Sequence, residues 1–329
     1  MPPKIRLGIT MGCPAGVGPE IIAQALKHTF PEDLGLVVLG DEKALQEAVR
    51  LTQGVMPPVV STEQLASAPQ KVLLPLSHLK EITFGQPNAQ TAQAMVRYIK
   101  EGVRLCLSGA LQGLVTAPIS KAALRLAGEP YPGHTEMLAA LTQAQEIAMA
   151  FYGAKLKIVL ATIHVPLREV ARLLSPEKIL SITRLAYQFL KEDLGIEQPR
   201  LALAALNPHA SESGLFGDEE ARLLEPAVKV AQEQGLPLEG PFPADSLFFR
   251  AVSGEFDLVV SLYHDQGLIP FKLLHFRDGV NLTLGLPIVR TSVDHGTAYD
   301  LAGKGLASPE SLLAAIELAY QMARHRFLG

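Results

Sequence analysis

KIRLGITMGCPAGVGPEIIAQALKHTF, Lys4–Phe30, carries the fold class in one stretch. Lys4–Thr10 is an apolar run of strand length and Pro19–Phe30 is helical in pattern, so a strand passes through a tight turn into a helix. The turn, TMGCPAGVGPE, is neither GxGxxG nor GxxxxGK and supports neither a Rossmann nor a P-loop site. It reads as a strand-to-helix turn. The same alternation continues outward. Gly35–Gly40, Gly113–Ala117, Lys157–Ile163, Arg200–Leu206 and Phe256–Leu262 read as buried strands. Ala89–Leu111, Ser120–Ala127, Pro176–Leu194, Asp218–Gln234 and Pro309–Phe327 read as helices. Ser175 and Ser308 each precede a proline at a first helical position. Strands alternating with helices argue for a largely parallel α/β sheet. Gly128–Gly133 interrupts the helical pattern and marks a lobe boundary, with a return crossing near Phe276–Gly279. The expected lobes are therefore 1–128 plus 277–329 and 129–276.

Composition narrows the function. The 329 residues suit two lobes better than one, and 48% hydrophobic against 19% charged residues reads as compact and well buried. A formal net charge of -4 supplies no basic field for nucleic acid. No apolar run reaches the length of a membrane span. MPPKIRLGIT enters its strand almost directly, without an apolar signal region. Cys13 and Cys106 are too few for a disulfide framework, and two free thiols fit a reducing cytoplasm.

Three of the nine histidines fall in equivalent places. His164 follows KIVLATI, His209 follows LALAALNP and His264 follows DLVVSLY. Each lies just past the carboxyl end of an apolar strand, where open α/β sheets build ligand crevices. One such histidine is more often structural; three placed alike favour a ligand set. Neutral imidazoles suit zinc and similar divalent ions, and three leave positions open for substrate. A second group suits an anion. His134 and Thr135 open a helical stretch whose amides and hydroxyl can face a phosphate. Lys272, Asn281 and Arg290 add a mobile cation, an amide and a planar fork.

These motifs also carry a resemblance. TMGCPAGVGPE, GLVTAPISK, YPGHTE, ATIHVPL, LNPHASE, YHDQGLIPFK and GVNLTLGLPIVRTSVDHGTAYDLAGKG together resemble the 4-phosphohydroxy-L-threonine dehydrogenase family of pyridoxal phosphate biosynthesis, over nearly the whole chain. The resemblance implies one divalent ion per site (zinc, with magnesium or cobalt as alternatives) on His164, His209 and His264. It implies substrate contacts from His134, Thr135, Lys272, Asn281 and Arg290, and matches Asp245 and Asp265 to acidic positions lining the family's site. The first loop departs from the family's usual PGDPAGIGPE: Met11 replaces the proline and Cys13 the acidic residue. DHGTAYDLAGKGLASPE is in turn similar to the adenosine-binding loop of isopropylmalate and isocitrate dehydrogenases. That likeness implies an isopropylmalate dehydrogenase-like fold, two α/β lobes with a cleft between them, and a homodimer with a shared active site. It also implies NAD held by His295, Gly296, Thr297 and Asp300.

The reaction so implied is NAD-dependent oxidation of 4-phosphohydroxy-L-threonine to 2-amino-3-oxo-4-phosphooxybutanoate, which decarboxylates. Lys272 and Asp265 are the two base candidates, with Lys272 also a phosphate ligand. Alternatives are a dehydrogenase of 4-phospho-D-threonate, of 4-phospho-D-erythronate or of a cis-dihydrodiol. A metal-dependent hydrolase or aldolase on a phosphorylated small molecule is a different class; it needs no DHGTAYD. A non-catalytic phospho-ligand binder needs no histidine triad.

Overall fold

The structure, a computed structural model, describes residues 3–328; Met1, Pro2 and Gly329 of the expected terminal segments lie outside them. In chain order the strands are β1 (Ile5–Thr10), β2 (Leu34–Asp41), β3 (Lys71–Ser77), β4 (Gly113–Thr116), β5 (Ala148–Tyr152), β6 (Lys157–Leu160), β7 (Leu201–Ala204), β8 (Leu238–Phe242), β9 (Leu258–Ser261), β10 (Val280–Leu284) and β11 (Arg290–Val293). The chain divides into two compact units, Met1–Ala144 with Leu286–Gly329, and Gln145–Gly285.

In the first unit the order is β3-β2-β1-β4-β11, with every neighbouring pair parallel. β1 and β2 are buried along their whole length, which is why they read as continuous apolar runs. Helices Ala89–Leu107 and Glu310–Leu328 both pack on β1 and β4. The first of them starts at a capping box in which Asn88 Oδ1 accepts from Thr91 N at 3.0 Å and Thr91 Oγ1 accepts from Asn88 N at 2.9 Å.

In the second unit the order is β10-β5-β6-β9-β7-β8. β6, β9, β7 and β8 run parallel, whereas β10, β5 and β6 pair antiparallel. The sheet is thus less uniformly parallel than the alternation implied. The short Gly153–Leu156 turn joins β5 to β6 as a hairpin, and a hairpin cannot join parallel strands. Phe151, Ile158, Leu160, Val259, Leu247 and Phe271 belong to the apolar core of this unit.

The unit boundaries also differ from those expected. Gly128–Gly133 leads into a helix, His134–Thr142, that packs against Ala89–Leu107 and so stays with the first unit. His134 and Thr135 therefore share a unit with Arg290. The return comes after Gly285, which leaves β10 and Asn281 in the second unit.

Candidate active site

The three strand-end histidines lie in the second unit. β9 is flanked by β6 on one side and β7 on the other, with Leu160 level with Ser261 and Leu203 with Val260. Adjacent parallel strands that end level present their following residues at one edge. His164, His264 and His209 are those residues. Past β6, Ala161 N donates to Ser261 O at 2.8 Å and Thr162 Oγ1 to Leu262 O at 2.7 Å, extending the pairing up to His164. Buried Gln266 ties the centre together. Its Oε1 accepts from Leu262 N and its Nε2 donates to Ala205 O, both at 2.7 Å, linking the ends of β9 and β7.

His264 and His164 come together. Their ring centroids lie 5.6 Å apart, and both line a pocket of about 450 Å³ with Tyr263, Asp265, Ile163 and Val165. Asp265 Oδ1 sits 2.7 Å from His264 Nδ1. A proton on Nδ1 shared with that carboxylate leaves Nε2 as the lone-pair donor, the orientation a metal-binding histidine needs. Two imidazoles on one tetrahedral ion at about 2.0–2.1 Å place their centroids about 5 Å apart, so this pair fits two ligands of one ion.

His209 does not join them. It sits in the Pro208–Glu212 turn with its ring 6.2 Å from that of Phe216. Among the described residues no three of His, Cys, Asp and Glu close into a metal-holding group. His209 through Ser213 all have positive φ, from 44° to 63°, in a run without glycine. Left-handed backbone costs such residues roughly 1–2 kcal/mol each and persists only where neighbours enforce it. The residues leading into this run are held by Glu220, which is 1% exposed. It accepts from Leu206 N at 2.9 Å, Asn207 N at 2.7 Å and Asn207 Nδ2 at 2.9 Å.

Lys272 is on the same helix as His264, His264–His275, with its Nζ 5.7 Å from the Phe276 ring centroid. Seven residues after Asp265, it falls on the same helix face about 10.5 Å along the axis. Asp245 is exposed in the first turn of Ala244–Val252, its Oδ1 accepting from Ser246 N at 3.0 Å. Asn281 is half-buried on β10, level with Phe151 of β5.

The first unit brings His134 and Arg290 together. Arg290, on β11, is 3% exposed and donates from Nη2 to Thr116 Oγ1 at 2.9 Å. Burial pushes its guanidinium down to about 9. His134 Nε2 is shut from solvent and has no hydrogen-bond partner, although the residue as a whole is partly exposed. Burial, and then the positive charge of Arg290, hold its pKa well below the ordinary imidazole value. Thr135 is buried beside it, in the first turn of His134–Thr142. A bound anion relieves both costs, since it balances the buried guanidinium charge and offers His134 a partner.

The 295–300 loop is in the same unit. His295, Gly296 and Asp300 are exposed and Thr297 is buried. A side chain at Gly296 would meet no protein atom within 4 Å, so only something outside the chain would require glycine there. Tyr299 OH lies 3.1 Å from Ser120 Oγ. Cys13 and Cys106 are buried free thiols, and burial raises the pKa of each, Cys106 to about 12. Neither is poised as a thiolate nucleophile.

Sequence reasoning missed Gln266, Glu220 and Thr116, all of which act on other residues and carry no spacing signature of their own. The sequence pattern described as Pyridoxal phosphate biosynthetic protein PdxA matches residues 33–319. The chain belongs to the PdxA family. The 4-hydroxythreonine-4-phosphate dehydrogenase of Desulforapulum autotrophicum is 48% identical over 320 residues, 95% of this chain and 94% of its own. The D-threonate 4-phosphate dehydrogenase of Salmonella typhimurium is 44% identical over 96% of this chain and 98% of its own. A crystal structure of the Klebsiella pneumoniae 4-hydroxythreonine-4-phosphate dehydrogenase superimposes with a TM-score of 0.88 at 41% identity, covering 97% of this chain and 98% of that one. The PdxA-family chain is therefore a dehydrogenase with a mixed α/β fold. None of its helices is long and apolar enough to cross a membrane, among the described residues.

Proposed function

We propose that this chain oxidises 4-phosphohydroxy-L-threonine with NAD, at a site that uses one divalent ion and serves pyridoxal phosphate biosynthesis. The observation that carries the reading is the His164–His264 pair with Asp265 against His264 Nδ1, in a chain 48% identical to a relative named for that substrate.

His164 and His264 would hold the ion through their free ring nitrogens, with His209 as a third ligand. A bound divalent ion supplies a Lewis acid at a secondary hydroxyl, and the nicotinamide supplies the hydride acceptor. Asp265 holds the His264 tautomer and is thereby occupied, which favours Lys272 as the group that takes the hydroxyl proton. Arg290, Thr135, His134 and Asn281 then grip the phosphate and carboxylate, so Lys272 need not serve as both clamp and base. Asp245 would contribute negative charge near the cation. One chain supplies two histidines together and the third elsewhere, which supports the homodimer with a shared site that the resemblance implies. The 295–300 loop would hold NAD, with Asp300 accepting from the ribose hydroxyls and repelling a 2′-phosphate.

A second reading, oxidation of D-threonate 4-phosphate, has the 44% identical Salmonella relative in its favour. Both substrates share the phosphate and the secondary hydroxyl, and they differ at the amino-bearing carbon. The test is NADH formation on each substrate, before and after chelation. Faster turnover of the amino acid, abolished by chelator and lost in His264→Ala, supports the first reading. Faster turnover of D-threonate 4-phosphate selects the second, and full activity in metal-stripped protein sinks the metal assignment in both.

A further inference from the structure

The first motif, Thr10–Glu20, has no part in the site described above, yet its glutamate is placed to act on it. Glu20 is the one charged residue between Arg6 and Lys27, and it is 0% exposed. It stands in the first turn of the helix Gly18–Ala25, where the helix dipole favours a carboxylate. Its two oxygens accept the N–H groups of Gly303, at 2.5 Å, and Gly305, at 2.8 Å. Both glycines are left-handed, with φ of 84° and 67°, and a side chain at 303 would strike Phe84. One turn further along the same helix, Gln24 Nε2 donates to Ala307 O at 2.9 Å. From the turn itself, Val17 N donates to Thr297 O at 3.1 Å. The segment Thr297–Ala307 is thus fastened at both ends and in the middle to the turn and helix that open the chain.

We infer that Glu20 is a positioning residue for the dinucleotide, acting through the Gly303–Gly305 backbone on the 295–300 loop. This rests on the reading of that loop as the NAD site. The loop's exposed residues, His295, Gly296 and Asp300, are offered outward while the backbone on either side is fixed. Fixing the backbone beforehand removes an ordering cost that NAD would otherwise meet on binding. A loosened loop therefore weakens NAD binding and leaves hydride transfer within the closed complex nearly unchanged. A purely structural glutamate behaves differently, because its loss lowers the amount of folded enzyme and leaves the KM of both substrates alike.

The test uses the full-length enzyme and Glu20→Gln, which keeps the side-chain shape and turns one acceptor into a donor facing an N–H. Hydrogen exchange without nucleotide should quicken within residues 295–307. The Kd for NADH and the KM for NAD should each rise about tenfold, while kcat at saturating NAD and the KM for the phosphorylated substrate change less than about twofold. Should this variant not fold, Gln24→Ala should give the same pattern at about threefold. A folded variant with wild-type exchange and wild-type NADH affinity overturns the inference alone. Wild-type protein that binds no NADH overturns the cofactor reading, and the inference with it.

Discussion

Glu20 in the first unit and Glu220 in the second are both buried in the first turn of a helical segment. Each accepts backbone N–H groups from a loop that carries candidate site residues. The loops they hold are built differently. Gly303 and Gly305 reach left-handed backbone as glycines, at no steric cost. His209, Ala210, Ser211, Glu212 and Ser213 reach it as ordinary residues and are strained. The same kind of clamp therefore serves a loop with one strained residue, Ala298 at φ 41°, in one unit and the approach to a run of five in the other. Strain is tolerated where a side chain must be aimed, and His209 is the candidate ligand in that run.

Removing the clamp on the strained loop should cost most. Glu220→Ala leaves the Leu206 and Asn207 amides without their acceptor, and we expect a loss of about 3 kcal/mol or more in urea unfolding. A loss no larger than that of Glu20→Ala would erase the contrast between the two loops. Next comes the less strained loop itself. Gly303→Ala forces a left-handed alanine against Phe84 and should cost about 2 kcal/mol, with the KM for NAD rising in step. A neutral Gly303→Ala would mean that the Glu20 contacts do not fix the backbone there.

Acid provides a third way to separate the units. His134 in the first unit is held neutral by burial and by Arg290, so its folded pKa lies below its unfolded value of about 6.5. The unfolded chain then binds the proton first. Stability from this group is therefore greatest above the unfolded value and declines as pH falls through it. His134→Gln should flatten that part of the pH–stability curve; an unchanged slope would contradict the burial argument. The smallest effect tests strain directly. Ala210→Gly should stabilise the protein by about 1 kcal/mol, because glycine accepts φ of 51° without the alanine penalty.

How much of this was legible in the sequence depended on whether a residue acts alone or through another. β1, β2, β4, β6, β7 and β9 are continuous apolar runs buried in sheets, and the pattern located each of them. β11, RTSV, is polar in sequence yet fully buried, since Thr291 and Ser292 hydrogen-bond inward to Ala315 O and Thr116 O. The helix His264–His275 was hidden by Gly267 and Pro270, which break a helical pattern in sequence but are accommodated in the structure. The strand-end placement of His164, His209 and His264 was readable from the runs before them. The left-handed turn that carries His209 was not, because no glycine marks it. Glu20 left a faint trace, a lone charge in an apolar stretch. Glu220 left none, as one carboxylate in the run DEEARLL looks like its neighbours.

Metal-assisted, NAD-linked oxidation of a phosphorylated hydroxy amino acid is the proposal on which the site assignments converge. Its most direct test is NADH production by purified, metal-loaded enzyme given 4-phosphohydroxy-L-threonine, repeated with chelator and with D-threonate 4-phosphate. The first substrate should turn over, chelator should abolish that turnover and added divalent ion restore it, with NAD preferred over NADP and the preference reduced in Asp300→Ala. No NADH from either substrate under metal-loaded conditions, or turnover indifferent to chelator, would contradict it.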